Sequence, residues 1–317
     1  MSSSSPSSSN PALNSEESET RNWLDLPRDV TATILLKLGA IEILNNAQRV
    51  CTQWRSISND PIMWRTIDMS NSSYIHKMEF DLGIMCRHAI DRSRGNLVDI
   101  SVEEFGTDDL LNYITDSTSH LHRLHLVSCW DISDEVWNVV SEKLPLLEEL
   151  DITIGNLSKD ALEAIGRCCP LLKSLKFNMQ AYKDPHIECD EEAVAIAKTM
   201  PELRHLQLFG NKLTNDGLLA ILDGCPHLES LDLRRCFNVN LGGSLGRRCA
   251  EQIKDLRIPN APTDDYPYDA EFDTDESFDD DYSYGMSDID ILSDDEYEYY
   301  GFSDGSDYDA YDDFLHV

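Results

Sequence analysis

The chain has 317 residues, is 41% hydrophobic and 27% charged, and carries a net charge of −33. That supplies apolar material for one or two cores, excludes the basic footprint of a nucleic-acid binder, and contains no apolar run near the eighteen residues a membrane helix needs. The charge is uneven: Thr263 to Val317 holds 21 Asp or Glu and no Lys or Arg, which leaves −12 for everything before it. The N-terminus has no basic segment followed by an apolar one, so no secretory signal is expected. With nine cysteines, an odd number, the thiols are expected to be reduced, in the nucleus or the cytoplasm.

Residues 1–21 are serine-rich, with Pro6 and Pro11. Such a segment buries too little to offset its ordering entropy and is expected to be disordered. Order is expected from Trp23.

Residues 22–66 predict three short helices. Leu26-Pro27 opens the first, since proline suits a first helical turn. Val30, Ile34 and Leu38 then recur every four residues on one face, and Gly39 stops the run. Ile43, Leu44 and Ala47 form a second apolar face. Val50, Trp54 and Ile57 form a third, which ends at Asp60-Pro61, and Trp64 closes the unit. Residues 67–95 are assigned to a linking helix over Met78 to Arg92, with Phe80, Ile84 and Ala89 on one side, capping the region C-terminal to it.

Residues 96–260 repeat. The pattern apolar-x-x-apolar-x-apolar occurs seven times, starting at Leu97, Leu121, Leu147, Leu172, Leu203, Leu228 and Ile253. Successive starts lie 24, 26, 25, 31, 25 and 25 residues apart, the period of leucine-rich repeats. The long interval holds an insertion around residues 181–189. The fourth and sixth positions share one face of a strand, and the third and fifth share the other. Each unit then carries a helix. Four such helices run into a proline, at 145, 170, 201 and 226, where the next strand begins. One unit cannot bury its leucines alone, so an α/β solenoid of about seven repeats is expected. The cysteines fall near strand and helix ends, where a free thiol serves as a small buried hydrophobe. No C-x-x-C pair occurs and His186 with Cys189 stands alone, so no metal or other cofactor is expected.

Residues 261–317 form an acidic tail with nine of the twelve tyrosines, expected to be disordered. Its bland role is to solubilise. Its sharper role is to visit the concave face of the solenoid and compete with acidic ligands there. No phosphate-binding glycine loop, G-x-S-x-G or H-E-x-x-H occurs. His120, His122 and His125 suit solvent-facing strand and turn positions better than a metal site.

The segment Leu26-Pro27, Ile34, Leu38, Ile43-Leu44, Val50-Cys51, Trp54 and Trp64, with the run VCTQWRSISNDPIMW, resembles the F-box. The interval from Leu44 to Val50 is one residue longer than the family pattern. Over residues 22–260 the chain resembles plant F-box proteins with leucine-rich repeats. The resemblance implies a non-catalytic substrate receptor of a Skp–cullin–F-box ubiquitin ligase. Leu26, Pro27, Ile34, Leu38, Leu44, Val50 and Trp54 would face a Skp-type adaptor, and through it a cullin, or support that face. A protein substrate would meet the concave side of the repeats at Arg123, His125, Asp151, Lys176, Phe209, Arg234 and Arg235, with Phe209 and the arginine pair as anchors. Neither nucleic acid nor membrane is expected as a partner. Two alternatives are an F-box scaffold that turns over no substrate and an F-box receptor for a small molecule, whose usual mark is a longer solenoid with large inserted loops.

Overall fold

In the computed structural model, residues 23–70, 81–155, 157–179 and 187–268 are described. The expectations for the serine-rich segment, for Phe80, for His186 and for the tail beyond residue 268 lie outside them. The described chain opens with helices and continues into eight parallel strands, joined in strict sequence order, with a helix after each strand except the last.

Pro27 stands just before α1 (Arg28–Leu36), where its missing N–H costs nothing, and its carbonyl accepts from the Thr31 amide at 3.0 Å. Gly39 takes φ +82°, which few other residues adopt, and turns the chain into α2 (Ala40–Glu42). α2 runs through a π-helical turn, Ile43–Ala47, into α3 (Gln48–Val50). A π turn accommodates one extra residue inside a helix. The additional residue between Leu44 and Val50 is thus taken up in a widened turn. Cys51 is extended and caps α4 (Thr52–Ser58), its sulfur accepting from the Trp54 amide at 3.4 Å. Leu35, Ile43, Leu44, Ile57 and Met63 fill the core of this unit.

The linking helix is α5 (Leu82–Ser93), shorter at its start than the expected Met78 because Asp81 caps it, accepting from the Ile84 amide at 3.0 Å. Ala89 is buried as expected, but Ile84 is exposed; the inner face is Leu82, Cys86, Ala89 and Ile90. Arg92 ties α5 to the first unit by donating to Gln48 Oε1 at 2.9 Å and by lying 5.4 Å from the Trp64 ring centre.

The strands are β1 (Thr66–Met69), β2 (Asp99–Glu103), β3 (Arg123–Val127), β4 (Glu149–Thr153), β5 (Ser174–Asn178), β6 (His205–Gln207), β7 (Ser230–Asp232) and β8 (Asp255–Arg257). The helices between them, after α5, are α6 (Asp108–Ser117), α7 (Asp134–Val140), α8 (Lys159–Cys168), α9 (Glu191–Thr199), α10 (Asn215–Gly224) and α11 (Gly243–Gln252). The assigned register holds: Ile100, Leu124, Leu150, Leu175, Leu206, Leu231 and Leu256 stand opposite one another across the sheet. The sheet starts one strand earlier than residue 96. Ile67 pairs with Ile100, and Trp64, Ile67 and Met69 repeat the apolar-x-x-apolar-x-apolar spacing. Trp64, expected only to close the helical unit, is fully buried and is also the first residue of the first repeat.

Acids at helix starts stitch neighbouring repeats together. Asp108 accepts from the Ser133 amide and hydroxyl, both at 2.7 Å, and Asp190 accepts from the Thr214 amide and hydroxyl, also at 2.7 Å. Each bond satisfies a donor at the entry of the next helix. At Gly224 a Cβ would lie 2.2 Å from the Ala197 carbonyl oxygen, so α9 and α10 approach as only glycine allows.

Candidate functional site

Two surfaces stand out. The first lies on the helical unit. Thr31 and Leu35 point into its core, which leaves Val30 and Ile34 on the outer side of α1, with Leu38 just past its end. Val30 and Leu38 are exposed, as are Pro27 and Val50, the last at 63%. Leu26, Ile34 and Trp54 are half-buried, and Trp54 packs partly against the core. Leu44 departs from the expectation of a contact: it is buried in the core because the π turn faces it inward, so it supports the surface from beneath. The exposed apolar set also takes in Leu36, Ile62 and Trp23, whose ring meets Trp54 edge-on at 6.5 Å. Sequence reasoning missed these three. Trp23 precedes the first helix, and Ile62 follows Pro61 in a short 3-10 turn, so no periodicity pointed to them.

The second surface is the concave face of the sheet. Its side chains form charged rows rather than a free basic patch. Arg123 donates to Asp99 at 2.8 Å. His125 lies between Asp99 and Asp151, at 3.7 and 3.6 Å. Lys176 donates to Asp151 at 3.0 Å. Asp151 was expected to point outward and exposed; it is only 6% exposed, because Thr153 donates to it at 2.6 Å from one side and Lys176 and His125 close over it. Burial alone would raise its carboxyl, but the nearby His125 ring, the Lys176 charge and the Thr153 hydrogen bond outweigh it and hold the group below the ordinary aspartate value. His122 is likewise accounted for, with its ring 3.0 Å from Glu148.

The expected anchors are rearranged. Phe209 is 1% exposed, not an open contact, because the ring of Tyr266 lies flat on it with centres 3.8 Å apart. Arg234 is 3% exposed. Its Nε and Nη2 grip Asp232 at 3.0 and 2.8 Å, its Nη1 donates to the Pro262 carbonyl at 3.1 Å, and Asp265 pairs with it from outside. Arg235 does not accompany it. The chain turns at Arg235 with φ +63°, and its side chain lines a separate small hollow with Lys212 and Phe237. The residues that cover Phe209 and Arg234 belong, by composition, to the acidic tail. Residues 261–268 instead fold back over β7 and β8. Tyr268 meets the Tyr266 ring edge-on at 5.6 Å, and burial pushes its hydroxyl up to about 12. Between this strap and the strands remains a notch of about 280 Å³, lined by Lys176, His205, Gln207 and Arg257. It is polar and smaller than most small-molecule sites, which start at about 300 Å³.

Most of the cysteines are buried and shielded from reaction. Burial pushes the thiols of Cys86, Cys169 and Cys236 up to about 12 and those of Cys129 and Cys225 up to about 11. Among the described residues no group of three or more His, Cys, Asp or Glu is placed to hold a metal ion.

Comparison with known proteins matches both regions. A family profile described as F-box-like covers residues 23–70, and one described as Leucine Rich repeat covers residues 200–222. F-box protein SKIP19 of Arabidopsis thaliana is 50% identical over 310 residues, spanning 97% of this chain and 99% of that protein. F-box/LRR-repeat protein 23 of the same plant is 52% identical over 254 residues, spanning 78% of this chain and 56% of that protein. F-box protein At4g05475, also from Arabidopsis, is 48% identical over 262 residues, 79% of this chain and 83% of its own length.

Proposed function

This chain belongs to the F-box proteins with leucine-rich repeats, and on that premise we propose that it is the substrate-recognition subunit of a Skp–cullin–F-box ubiquitin ligase. In this reading it is not itself an enzyme, and it acts in the nucleus or the cytoplasm. The helical unit docks on a Skp-type adaptor, and the concave face of the repeats presents a protein substrate. Catalysis is then a matter of proximity: a substrate lysine is held at high effective concentration near a ubiquitin-charged enzyme.

The observation that carries the adaptor reading is the outward apolar face of the helical unit. Pro27, Val30, Leu38 and Val50 are each exposed on a unit whose core is already filled by Leu35, Ile43, Leu44 and Ile57. Exposed apolar patches of this kind mark interaction sites. Trp54 and Trp23 add aromatic area of the sort that dominates interface energies.

The test is adaptor capture from a mixture of purified proteins. Val30→Asp with Val50→Asp should abolish it without lowering the melting temperature, because both side chains are solvent-exposed. Trp54→Ala, and Leu26→Ala with Pro27→Ala, should weaken it as well. Adaptor binding that survives the double aspartate variant would refute the docking face.

A further inference from the structure

The strap that crosses the concave face is held by two neighbouring groups of different chemistry. Asp265 accepts hydrogen bonds from both Arg234 and Arg257. Tyr266, the next residue, stacks on Phe209 with ring planes within 1° of parallel. Arg234 belongs to both halves, since its guanidinium lies 5.7 Å from the Phe209 ring centre and is fixed in place by Asp232. A preorganised arginine fork beside an aromatic platform reads a carboxylate and a flat ring at adjacent positions of an extended chain. Nothing in that geometry depends on the guest being attached to the host.

We propose that Arg234, Arg257 and Phe209 form a recognition site for a partner-protein segment in which an acidic residue is followed directly by an aromatic one, and that Asp265-Tyr266 occupies this site in cis. The proposal rests on the reading that the concave face captures substrate, and it names the sequence chemistry captured there. The cis occupant sets the threshold for capture. A tethered ligand is present at an effective concentration in the millimolar range, so a partner must exceed that or bring further contacts along the rows at Lys176 and His125. The fit of the occupant is incomplete. The Tyr266 hydroxyl is buried with no hydrogen-bond partner, and only the half-exposed Asp265 carboxylate is fully engaged. An incomplete fit is what permits exchange, since a buried unpaired hydroxyl weakens the closed state. A guest carrying phenylalanine at this position would bury no unpaired hydroxyl and should displace the strap more readily.

The probe is a fluorescent peptide with the sequence of residues 261–268, titrated by anisotropy against the full chain. The opened variant carries Asp265→Ala with every tyrosine from Tyr266 onward, and Phe272 and Phe314, changed to Ser, so that no acid–aromatic pair of the tail refills the site. The peptide should bind this variant at least tenfold more tightly than the natural chain. A form with phenylalanine in place of its first tyrosine should bind more tightly still. Adding Arg257→Glu to the opened variant should remove binding. Equal binding to open and natural chains, binding that survives Arg257→Glu, or no saturable binding at one millimolar peptide would each overturn the proposal. If the opened variant does not fold, Arg257→Ala in the natural chain serves instead. Protection of the Tyr266 amide, which donates to the Thr263 carbonyl at 2.9 Å, should be lost, and its retention would overturn the contact. The two readings fail separately. A chain that binds the peptide but shows no change in substrate capture upon opening keeps the site and loses the substrate reading. A chain whose substrate capture depends on Lys176 but not on Arg257 keeps the substrate reading and loses this site.

Discussion

Tyr266 covers Phe209 ring on ring, with centres 3.8 Å apart, although 56 residues lie between the two in sequence. A residue expected in a solvated tail thus closes the central aromatic of the concave face.

The closure should depend on pH. Hydrogen bonds from Arg257 and then Arg234 hold the Asp265 carboxyl below its ordinary value of 3.8. A carboxyl depressed in the folded state adds stability above its unfolded value and loses it as pH falls through the lower folded value. Protection of the Tyr266 amide, which donates to the Thr263 carbonyl, should, once corrected for intrinsic exchange, be constant from neutrality to about pH 5 and decline below about pH 4. Asp265→Asn should therefore remove most of the dependence. A flat profile through pH 3 would contradict the arginine fork.

The sheet register makes a stability ordering. Leu150, Leu206 and Leu231 stand at equivalent buried positions, and each change to alanine should cost about 2–5 kcal/mol in urea unfolding. On the opposite face, Gln207→Ala should cost about 0.5 kcal/mol or less, since Gln207 is only half-buried. Asp151→Ala and Asp232→Ala belong elsewhere. They strand Lys176 and Arg234, and each should cost about 1–3 kcal/mol.

Gly224→Ala should be among the most damaging small changes in the repeats. The added methyl would meet backbone, not a movable side chain, at 2.2 Å from the Ala197 carbonyl oxygen. A loss of about 1–3 kcal/mol is expected, with α9 and α10 displaced, whereas Gly39→Ala has free space and fails only through its positive φ.

Thiol labelling should divide the cysteines. Cys51 and Cys168 are partly exposed and should react with iodoacetamide in the native protein, and Cys189 more slowly because desolvation and Glu192 raise its thiol. Cys86, Cys129, Cys169, Cys225, Cys236 and Cys249 are buried and should react only after unfolding.

The repeat was legible because leucines at near-constant spacing leave one solution for burying them. The first strand was not, because Trp64 stands where every later repeat has an aliphatic residue, and the tryptophan suited the end of the helical unit equally well. Around α1 the outer face could be read as periodic but not as outer: Val30 and Ile34, with Leu38 past the helix end, recur at the same interval as Thr31 and Leu35, and packing alone decides which set is buried. At the concave face the strand positions of Arg123, His125 and Lys176 were readable from alternation. Their pairing was not, because Asp99, Asp151 and Lys176 come from different repeats and meet only through the register of the sheet. The strap lay furthest from reach. Composition marks residues 261–268 as tail, and only the arrangement of Arg234, Arg257 and Phe209 gives that segment somewhere to bind.

The strap also bears on self-modification. In a ubiquitin-ligase receptor, whatever lies in the substrate position is offered to a ubiquitin-charged enzyme, and a receptor that fills its own site risks marking itself. From Thr263 to Val317 there is no lysine, so the strap from that residue on, and the whole tail after it, present no side-chain amine to accept ubiquitin. On the proposed receptor role, an occupant of that kind would keep the protein idle without spending it.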